Sequence, residues 1–177
     1  MAAGSDLGER PPFVLTLEMD GESFARFNEL RQAHYPPERN LVPAHVTLFY
    51  RLPGGNGREI KALLTQTASS QKRFAISVGD VKELERGVAV FLHSPQLSAL
   101  RGELAAEWWP WLTDQDRLGF RPHVTVASSL GAGEARHTRE SIAATFRAPS
   151  MRAVGMHLWR YRNGPWESER LFSFRRS

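Results

Sequence analysis

The sequence predicts an α+β fold with two pseudo-symmetric lobes, because one order of strands and helices runs along the chain twice. The tripeptide His-Val-Thr, followed by an apolar residue, occurs at residues 45–48 and again at 123–126. In each half we expect a strand, a helix, the strand that carries this motif, a second helix and a third strand. A repeat at this scale indicates two similar structural units with the repeated motif at their junction.

The first half, residues 12–80, has well-marked helix signals. Asp20 can accept hydrogen bonds from the first turn of a helix, and Phe24, Phe27 and Leu30 recur at the spacing of one helical face. The predicted elements are a strand at 13–18, a helix at 20–34, the motif strand at 45–48, a helix at 58–69 and a strand at 74–78.

The second half, residues 87–160, repeats this order. Ser94 followed by Pro95 is typical of a helix start, because the hydroxyl caps the helix and proline suits its first position. Asn163-Gly164 between two β-rich runs predicts a C-terminal hairpin over 156–174. No linker separates the halves, so we expect one domain over 1–177. The elements of this half are predicted at 87–93 (strand), 94–112 (helix), 123–126 (motif strand), 133–146 (helix) and 151–155 (strand).

Composition excludes several classes of protein. The chain has no cysteine, which removes disulfides, thiolate nucleophiles and cysteine zinc sites. No apolar run is long enough for a membrane span, and residues 1–12 lack the apolar core of a signal peptide, so we expect a cytoplasmic protein. The net charge is +4, and arginine dominates the basic residues. Arginine binds phosphate well, although a GC-rich genome would explain the same composition.

The two motifs place titratable groups in a useful pattern. Side chains alternate along a strand, so the His and Thr of each tripeptide share one face while Val46 and Val124 face the core. His45 with Thr47, and His123 with Thr125, would then supply two bases and two hydroxyl donors. Imidazole can act as acid or base near neutral pH, and hydroxyls can donate to phosphate oxygens. This combination favours acid–base phosphoryl chemistry, with Thr47 and Thr125 binding the phosphate.

A zinc site is the other functional interpretation of the histidines. His45 and His123 could be ligands, with His93 or His157 as a third. Zinc sites commonly add carboxylates or a closely spaced second histidine, as in HExxH, and the sequence has no such motif. We therefore assign no metal residues, and we treat His34, His93 and His137 as surface or strand-end residues.

The segments around both motifs resemble the 2H phosphoesterase superfamily, most closely its bacterial 2′,5′-RNA ligase-like members. Residues 42–48, Val-Pro-Ala-His-Val-Thr-Leu, and 120–126, Phe-Arg-Pro-His-Val-Thr-Val, match its paired signatures, and 30–36 is similar to the segment before the first motif. The resemblance extends over 13–174. The chain departs from similar proteins at Phe49-Tyr50, where relatives can carry a basic residue, and at Ala127-Ser128, where arginine commonly follows the alanine. These departures bear on substrate specificity.

The resemblance implies that each lobe is an antiparallel sheet with outer helices, around a central cleft that holds both motifs. It also implies a metal-independent, cofactor-free phosphodiesterase for RNA-type diesters with a 2′ oxygen, either a 2′,3′-cyclic phosphate or a 2′,5′ linkage. The reverse reaction would be 2′,5′-RNA ligation. By resemblance His45 would be the acid and His123 the base, although the pseudo-symmetry leaves the reverse open. A non-catalytic RNA- or nucleotide-binding module and a metal-dependent hydrolase remain alternatives.

Five further residues are candidates for binding the substrate, which we expect to be RNA or a nucleotide. We expect the protein itself to be a monomer. Arg121 could contact phosphate if the motif strand extends through Pro122, and Tyr35 could reach the cleft from its loop. Phe49 shares a strand face with Thr47 by simple alternation and could form an apolar wall. His157 and Trp159 share one face of a strand, where Trp159 could stack on a base. For each of these residues, ordinary packing or surface exposure is the competing interpretation.

Overall fold

A computed structural model, which describes residues 10–176, contains antiparallel strands together with α-helices and confirms the α+β fold. Residues 1–9, which carry most of the segment considered for a signal peptide, lie outside the described part. The strands are β1 (Phe13–Met19), β2 (Val46–Leu52), β3 (Phe74–Leu84), β4 (Gly87–His93), β5 (His123–Ser128), β6 (Met151–Arg160) and β7 (Glu167–Ser173). The helices are α1 (Gly21–His34), α2 (Gly57–Ser70), α3 (Pro95–Trp108), α4 (Asp114–Arg117) and α5 (Ala132–Thr145).

The strands of the described residues pair antiparallel in the order β2-β1-β6-β3-β4-β5, and β7 also pairs with β6, along residues 155–160. The third strand of each half is exchanged. β3 pairs with β4 of the second half, whereas β6 pairs with β1 of the first half. One lobe is therefore β2-β1-β6-β7 and the other is β3-β4-β5, and a short pairing of β3 with β6 joins them. The lobes thus do not coincide with the sequence halves.

Helix boundaries follow local chemistry closely. The Asp20 carboxylate accepts a hydrogen bond from the Ser23 amide at 3.0 Å, and the Ser94 hydroxyl accepts one from the Leu97 amide at 3.1 Å. The helix predicted at 94–112 ends earlier, at Trp108, and a 3-10 turn over Trp109–Trp111 follows. Pro110 in that turn lacks the amide hydrogen that an α-helix would need there.

Two strands are longer than the sequence patterns suggest. β3 continues to Leu84 rather than residue 78, and the register of its pairing with β4 shifts between Val78 and Val81. The strand predicted at 151–155 and the first part of the hairpin predicted over 156–174 form the single strand β6. β6 and β7 form the predicted hairpin, whose turn places Asn163 at a positive φ of 61°. Within residues 10–176, no helix combines the length and apolar character that crossing a membrane requires.

The core side of the motif strands is apolar, as alternation predicts. Val46, Leu48, Val124 and Val126 are at most 1% exposed. Burying these four side chains fixes the opposite direction for the His and Thr side chains between them. The sheet therefore holds both motifs in place through its own hydrophobic core.

Candidate active site

Both motif histidines are held by the backbone in the same way. The Nδ1 atom of His45 donates to the carbonyl oxygen of Pro43, and Nδ1 of His123 donates to the carbonyl oxygen of Arg121, each over 2.8 Å. A carbonyl oxygen can only accept, so each neutral ring carries its proton on Nδ1 and keeps Nε2 as the unprotonated nitrogen. Two pseudo-equivalent histidines therefore offer the same atom to a ligand.

The surroundings of His45 favour its neutral form. Desolvation is the largest effect and lowers its pKa from 6.5 to about 4, while the bond to Pro43 opposes this change. The positive charges of Arg31 and His123 lower the pKa further. At neutral pH His45 is consequently an uncharged base.

A bulge follows the threonine in each motif strand. Residues 47–49 of β2 lie opposite Leu15 and Thr16 of β1, and residues 125–127 of β5 lie opposite Val88 and Ala89 of β4. One extra residue reverses the alternation that follows it. Thr47 and Thr125 keep partial exposure, whereas the residues two places later turn into the core.

This bulge makes the prediction for Phe49 wrong. Its side chain is 0% exposed, and its ring packs edge-on against Trp108 with the centroids 5.2 Å apart. Phe49 therefore belongs to the core and cannot form a wall for a base. Simple alternation assigned it to the wrong face, because an extra residue in a strand is not visible in a hydrophobic pattern.

Arg31 connects the two motifs and was missed by sequence reasoning. It is 4% exposed, and it donates from Nε to the Asn40 amide oxygen at 2.7 Å and from Nη1 to the Thr125 carbonyl at 2.8 Å. Its guanidinium carbon lies 3.8 Å from the centroid of the Tyr35 ring. Among the residues that the structure describes, it forms no ion pair with a carboxylate. A basic residue inside the segment 30–36, which resembled the family, was the available signal.

Arg101 forms the corresponding brace in the other direction. From α3 of the second half it donates through Nε to the Leu48 carbonyl of β2 at 3.2 Å, and through Nη2 to the Asp116 carbonyl. The Asp116 carboxylate accepts from the backbone amides of Tyr50 and Arg51 at 2.8 and 3.0 Å. A helix of each half thus supports the motif strand of the other half.

Three cavities meet at the motif residues. Thr47 of the first motif and His123 of the second line one cavity of about 160 Å³ together with Arg101 and Arg121. His45 lines the other two. The first, of about 350 Å³, contains Arg31, Tyr35, Arg39 and Trp166; the second, of about 210 Å³, contains Glu18, Phe24, His157 and Trp159. The first cavity thus brings Thr47 and His123, one residue of each motif, to a space lined by two arginines.

Aromatic rings extend from His45 along the hairpin. Its ring centroid lies 4.8 Å from that of Trp166, which lies 6.2 Å from Trp159. The Trp159 ring stacks on His157 at 3.7 Å, and its Nε1 donates to the Thr16 hydroxyl at 2.9 Å. Trp166 was missed, although an aromatic residue beside the predicted Asn-Gly turn was a signal.

The remaining candidates are distributed around these cavities. Tyr35 lines the same cavity as His45, and its ring lies beneath the guanidinium group of Arg31. Arg121 is exposed and lies outside β5, which starts at His123, so the strand does not extend through Pro122 as considered. The imidazole of His157 is hydrogen-bonded through Nε2 to the Ser168 hydroxyl at 2.7 Å. In the described residues, no three His, Asp or Glu side chains form a group that could hold a metal ion, including those considered for zinc.

A family model described as the 2′-5′ RNA ligase superfamily matches residues 19–165. No curated protein sequence matches the chain significantly. Among solved structures, TT0787 of Thermus thermophilus is 17% identical with a TM-score of 0.66, over 94% of this chain and 99% of that one. Escherichia coli LigT complexed with 3′-AMP is 19% identical with a TM-score of 0.62, over 94% and 99%. Its apo form is 16% identical with a TM-score of 0.61, over 94% and 98%. At these identities the likeness concerns the fold.

Proposed function

The chain belongs to the 2′-5′ RNA ligase superfamily, and we propose that it is a metal-independent phosphodiesterase for RNA-type diesters with a 2′ oxygen. The observation that carries this proposal is the matched pair of histidines, each fixed at Nδ1 by a backbone carbonyl and open at Nε2. Two such nitrogens suit a reaction that removes one proton and delivers another. The substrate class we propose is a 2′,3′-cyclic phosphate or a 2′,5′-linked diester.

The electrostatics of His45 support a division of labour. Its lowered pKa leaves the ring uncharged at neutral pH, the state in which it can accept a proton, so we propose that His45 Nε2 takes a proton from the attacking water. The water oxygen then bonds to phosphorus, and the bond from phosphorus to a ribose oxygen breaks. His123 enters this step as the imidazolium, with protons on both nitrogens, and gives the Nε2 proton to that oxygen. These roles are the reverse of those that the family resemblance suggested. If the 5′ hydroxyl of a second RNA end takes the place of water, the same steps open a 2′,3′-cyclic phosphate. The 5′ oxygen bonds to phosphorus, the bond to the 3′ oxygen breaks, and a 2′,5′ diester forms, which is ligation.

The hydroxyls and cations around the histidines support the phosphate part of this proposal. Thr47 and Thr125 are partly exposed and can donate to the non-bridging oxygens, where negative charge develops. Arg31 near His45 and Arg121 near His123 add positive charge at the cavities. Escherichia coli LigT, which has a similar fold, has been solved in complex with 3′-AMP, and this supports the proposal of a nucleotide ligand here.

The aromatic rings beside His45 support binding of a base. Trp159 and His157 form a stacked pair in the cavity of about 210 Å³ that also contains His45. Stacking on aromatic side chains contributes about 1–3 kcal/mol per base in single-stranded nucleic acid binding. We propose that this cavity accepts the base of the reacting nucleotide.

Turnover of adenosine 2′,3′-cyclic phosphate in excess EDTA tests the function. We expect hydrolysis that EDTA leaves unchanged and that His45→Gln and His123→Gln each slow by roughly 10²–10⁴. Loss of activity on chelation would instead indicate a metal-dependent hydrolase. Binding without turnover would indicate a nucleotide-binding module on the same fold. His137→Gln is the matched control, because His137 is an exposed residue of α5.

A further inference from the structure

A cavity beside the Phe91 ring has no role in the chemistry above, although Arg121 lines both this cavity and the one at His123. We call it the Phe91 cavity, after the ring that lines it and packs against His123. It has a volume of about 360 Å³ and is lined by Lys82, Phe91, Ser98 and Arg121, among others. The Phe91 and His123 rings are 5.3 Å apart between centroids and tilted by 30°. A ligand at His123 therefore lies one aromatic ring away from this cavity.

Two cations converge on the Phe91 ring. Lys82 Nζ lies 5.4 Å from its centroid, and the guanidinium carbon of Arg121 lies 5.1 Å from it. Within residues 10–176 neither side chain has a carboxylate within ion-pair distance, although Asp80 also lines the cavity. The positive charge of this pair is therefore available to an anion. Both side chains are exposed, so an anion from solution can reach them.

The repeat gives this cavity a counterpart with different chemistry. The first strand of each half, the helix after it, the segment leading into the motif and the exchanged third strand surround one cavity in each lobe. In the β1 lobe, β6 contributes His157 and Trp159; in the β4 lobe, β3 contributes Asp80 and Lys82. One member of the pair is thus aromatic, and the other places two cations around one ring.

We propose that the Phe91 cavity binds a second phosphate group of the substrate, so that the enzyme prefers nucleotides carrying a phosphate on the 5′ oxygen. This inference rests on the proposed function, because it assumes that the reacting phosphate lies between His45 and His123. Lysine and arginine are the side chains that bind phosphate, and arginine can do so bidentately. The 5′ phosphate could be terminal, as in a mononucleotide, or could link to the preceding residue of an RNA chain.

The test compares three substrates that end in the same adenosine 2′,3′-cyclic phosphate. One has a free 5′ hydroxyl, one has a 5′ phosphate, and one is the dinucleotide in which that phosphate is a diester. We expect kcat/KM to rise when the phosphate is present, and Lys82→Met to reduce this gain roughly tenfold, the loss of one charged hydrogen bond. Lys72→Met removes the same charge from an exposed lysine outside these cavities and should preserve the gain.

The possible outcomes distinguish failure of the second phosphate site from failure of the proposed phosphodiesterase function. A gain with both phosphate substrates supports the site for either source, and a gain with the dinucleotide alone assigns it to RNA chains. Hydrolysis of all three with equal kcat/KM, or a gain that Lys82→Met leaves intact, overturns the second site while the proposed function stands. Absence of turnover overturns the function itself.

Binding measurements keep the inference testable in that last case. Adenosine 3′,5′-bisphosphate should bind more tightly than adenosine 3′-phosphate, and Lys82→Met and Arg121→Gln should each reduce the difference. Because a phosphate contact is electrostatic, the difference should also shrink as salt concentration rises. Equal affinities of the two nucleotides for the unmodified protein would exclude the site.

Discussion

Arg31 Nη1 donates a hydrogen bond of 2.8 Å to the backbone carbonyl of Thr125, and this bond ties the helix of one half to the motif strand of the other. The same guanidinium group donates a hydrogen bond to the Asn40 side chain and lies over the Tyr35 ring. Its positive charge also lowers the pKa of His45. One buried side chain thus both holds the strand of Thr125 in place and influences the protonation of His45. Most of the predictions below depend on that linkage or on the two histidines that it joins.

Replacing Arg31 with methionine should destabilise the protein by about 2–3 kcal/mol, because the Thr125 carbonyl and the Asn40 amide lose their charged donor. Urea unfolding of the two proteins measures this difference. Arg26→Met on the same helix is the control, since Arg26 is exposed. Equal unfolding midpoints for both variants would show that the hydrogen bonds of Arg31 contribute no stability.

The pH dependence of kcat/KM should reveal the base. Because that parameter reports groups of the free enzyme, its acid limb should fall well below pH 6.5, towards the lowered pKa of about 4 of His45. Initial rates on a cyclic nucleotide between about pH 3.5 and 9, with proof of folding at each pH, give the profile. An acid limb at or above pH 6.5 would contradict the assignment of His45 as the base.

Stability should also depend on pH through His45. Its pKa is about 4 in the folded protein and 6.5 in an unfolded chain, so the unfolded state binds more protons between those values. The contribution to stability is complete above pH 6.5 and is lost as pH falls towards 4. We expect a loss of about 2–3 kcal/mol from this group. His45→Gln should flatten that part of the unfolding free energy, whereas His137→Gln should leave its slope intact.

Alanine in place of His45 or His123 should lower kcat by roughly 10²–10⁴, the range for one acid–base group. The double variant should be little slower than the slower single variant, because the two groups act in one reaction. Single-turnover rates of the four proteins complete this cycle. A double variant as fast as the unmodified protein would leave only a binding role for the site.

Valine in place of Thr47 or Thr125 removes the hydroxyl and keeps the branched shape that a strand favours. We expect each change to cost about 1–3 kcal/mol in transition-state binding, about 5- to 150-fold in kcat/KM, if one hydrogen bond to charged phosphate is lost. Thr65→Val on α2 is the control, since the Thr65 hydroxyl donates only to its own helix at Lys61. Variants of Thr47 and Thr125 with the rate of this control would refute their contact with phosphate.

Local signals explain what the sequence could predict. Asp20 and Ser94 mark helix starts by their own hydrogen bonds, and Asn163 marks the hairpin by its backbone conformation. The repeat itself predicted the order of strands and helices. The strand face of Phe49 was predicted wrongly because a bulge shifts strand register without changing the hydrophobic pattern. The role of Arg31 was not predicted because its partner Thr125 is distant in sequence, and no local pattern indicates such a contact.

The exchange of β3 and β6 makes each half of the chain structurally incomplete. A fragment ending at the turn between β3 and β4 would leave β1 without β6 and β3 without β4, and such open edges favour association. Two copies of one fragment could satisfy both edges by exchanging their third strands, as in a domain-swapped dimer. In that dimer each copy would supply one His-Val-Thr motif. The architecture is therefore that of two swapped protomers fused in tandem, and complementary fragments produced together should reassemble it.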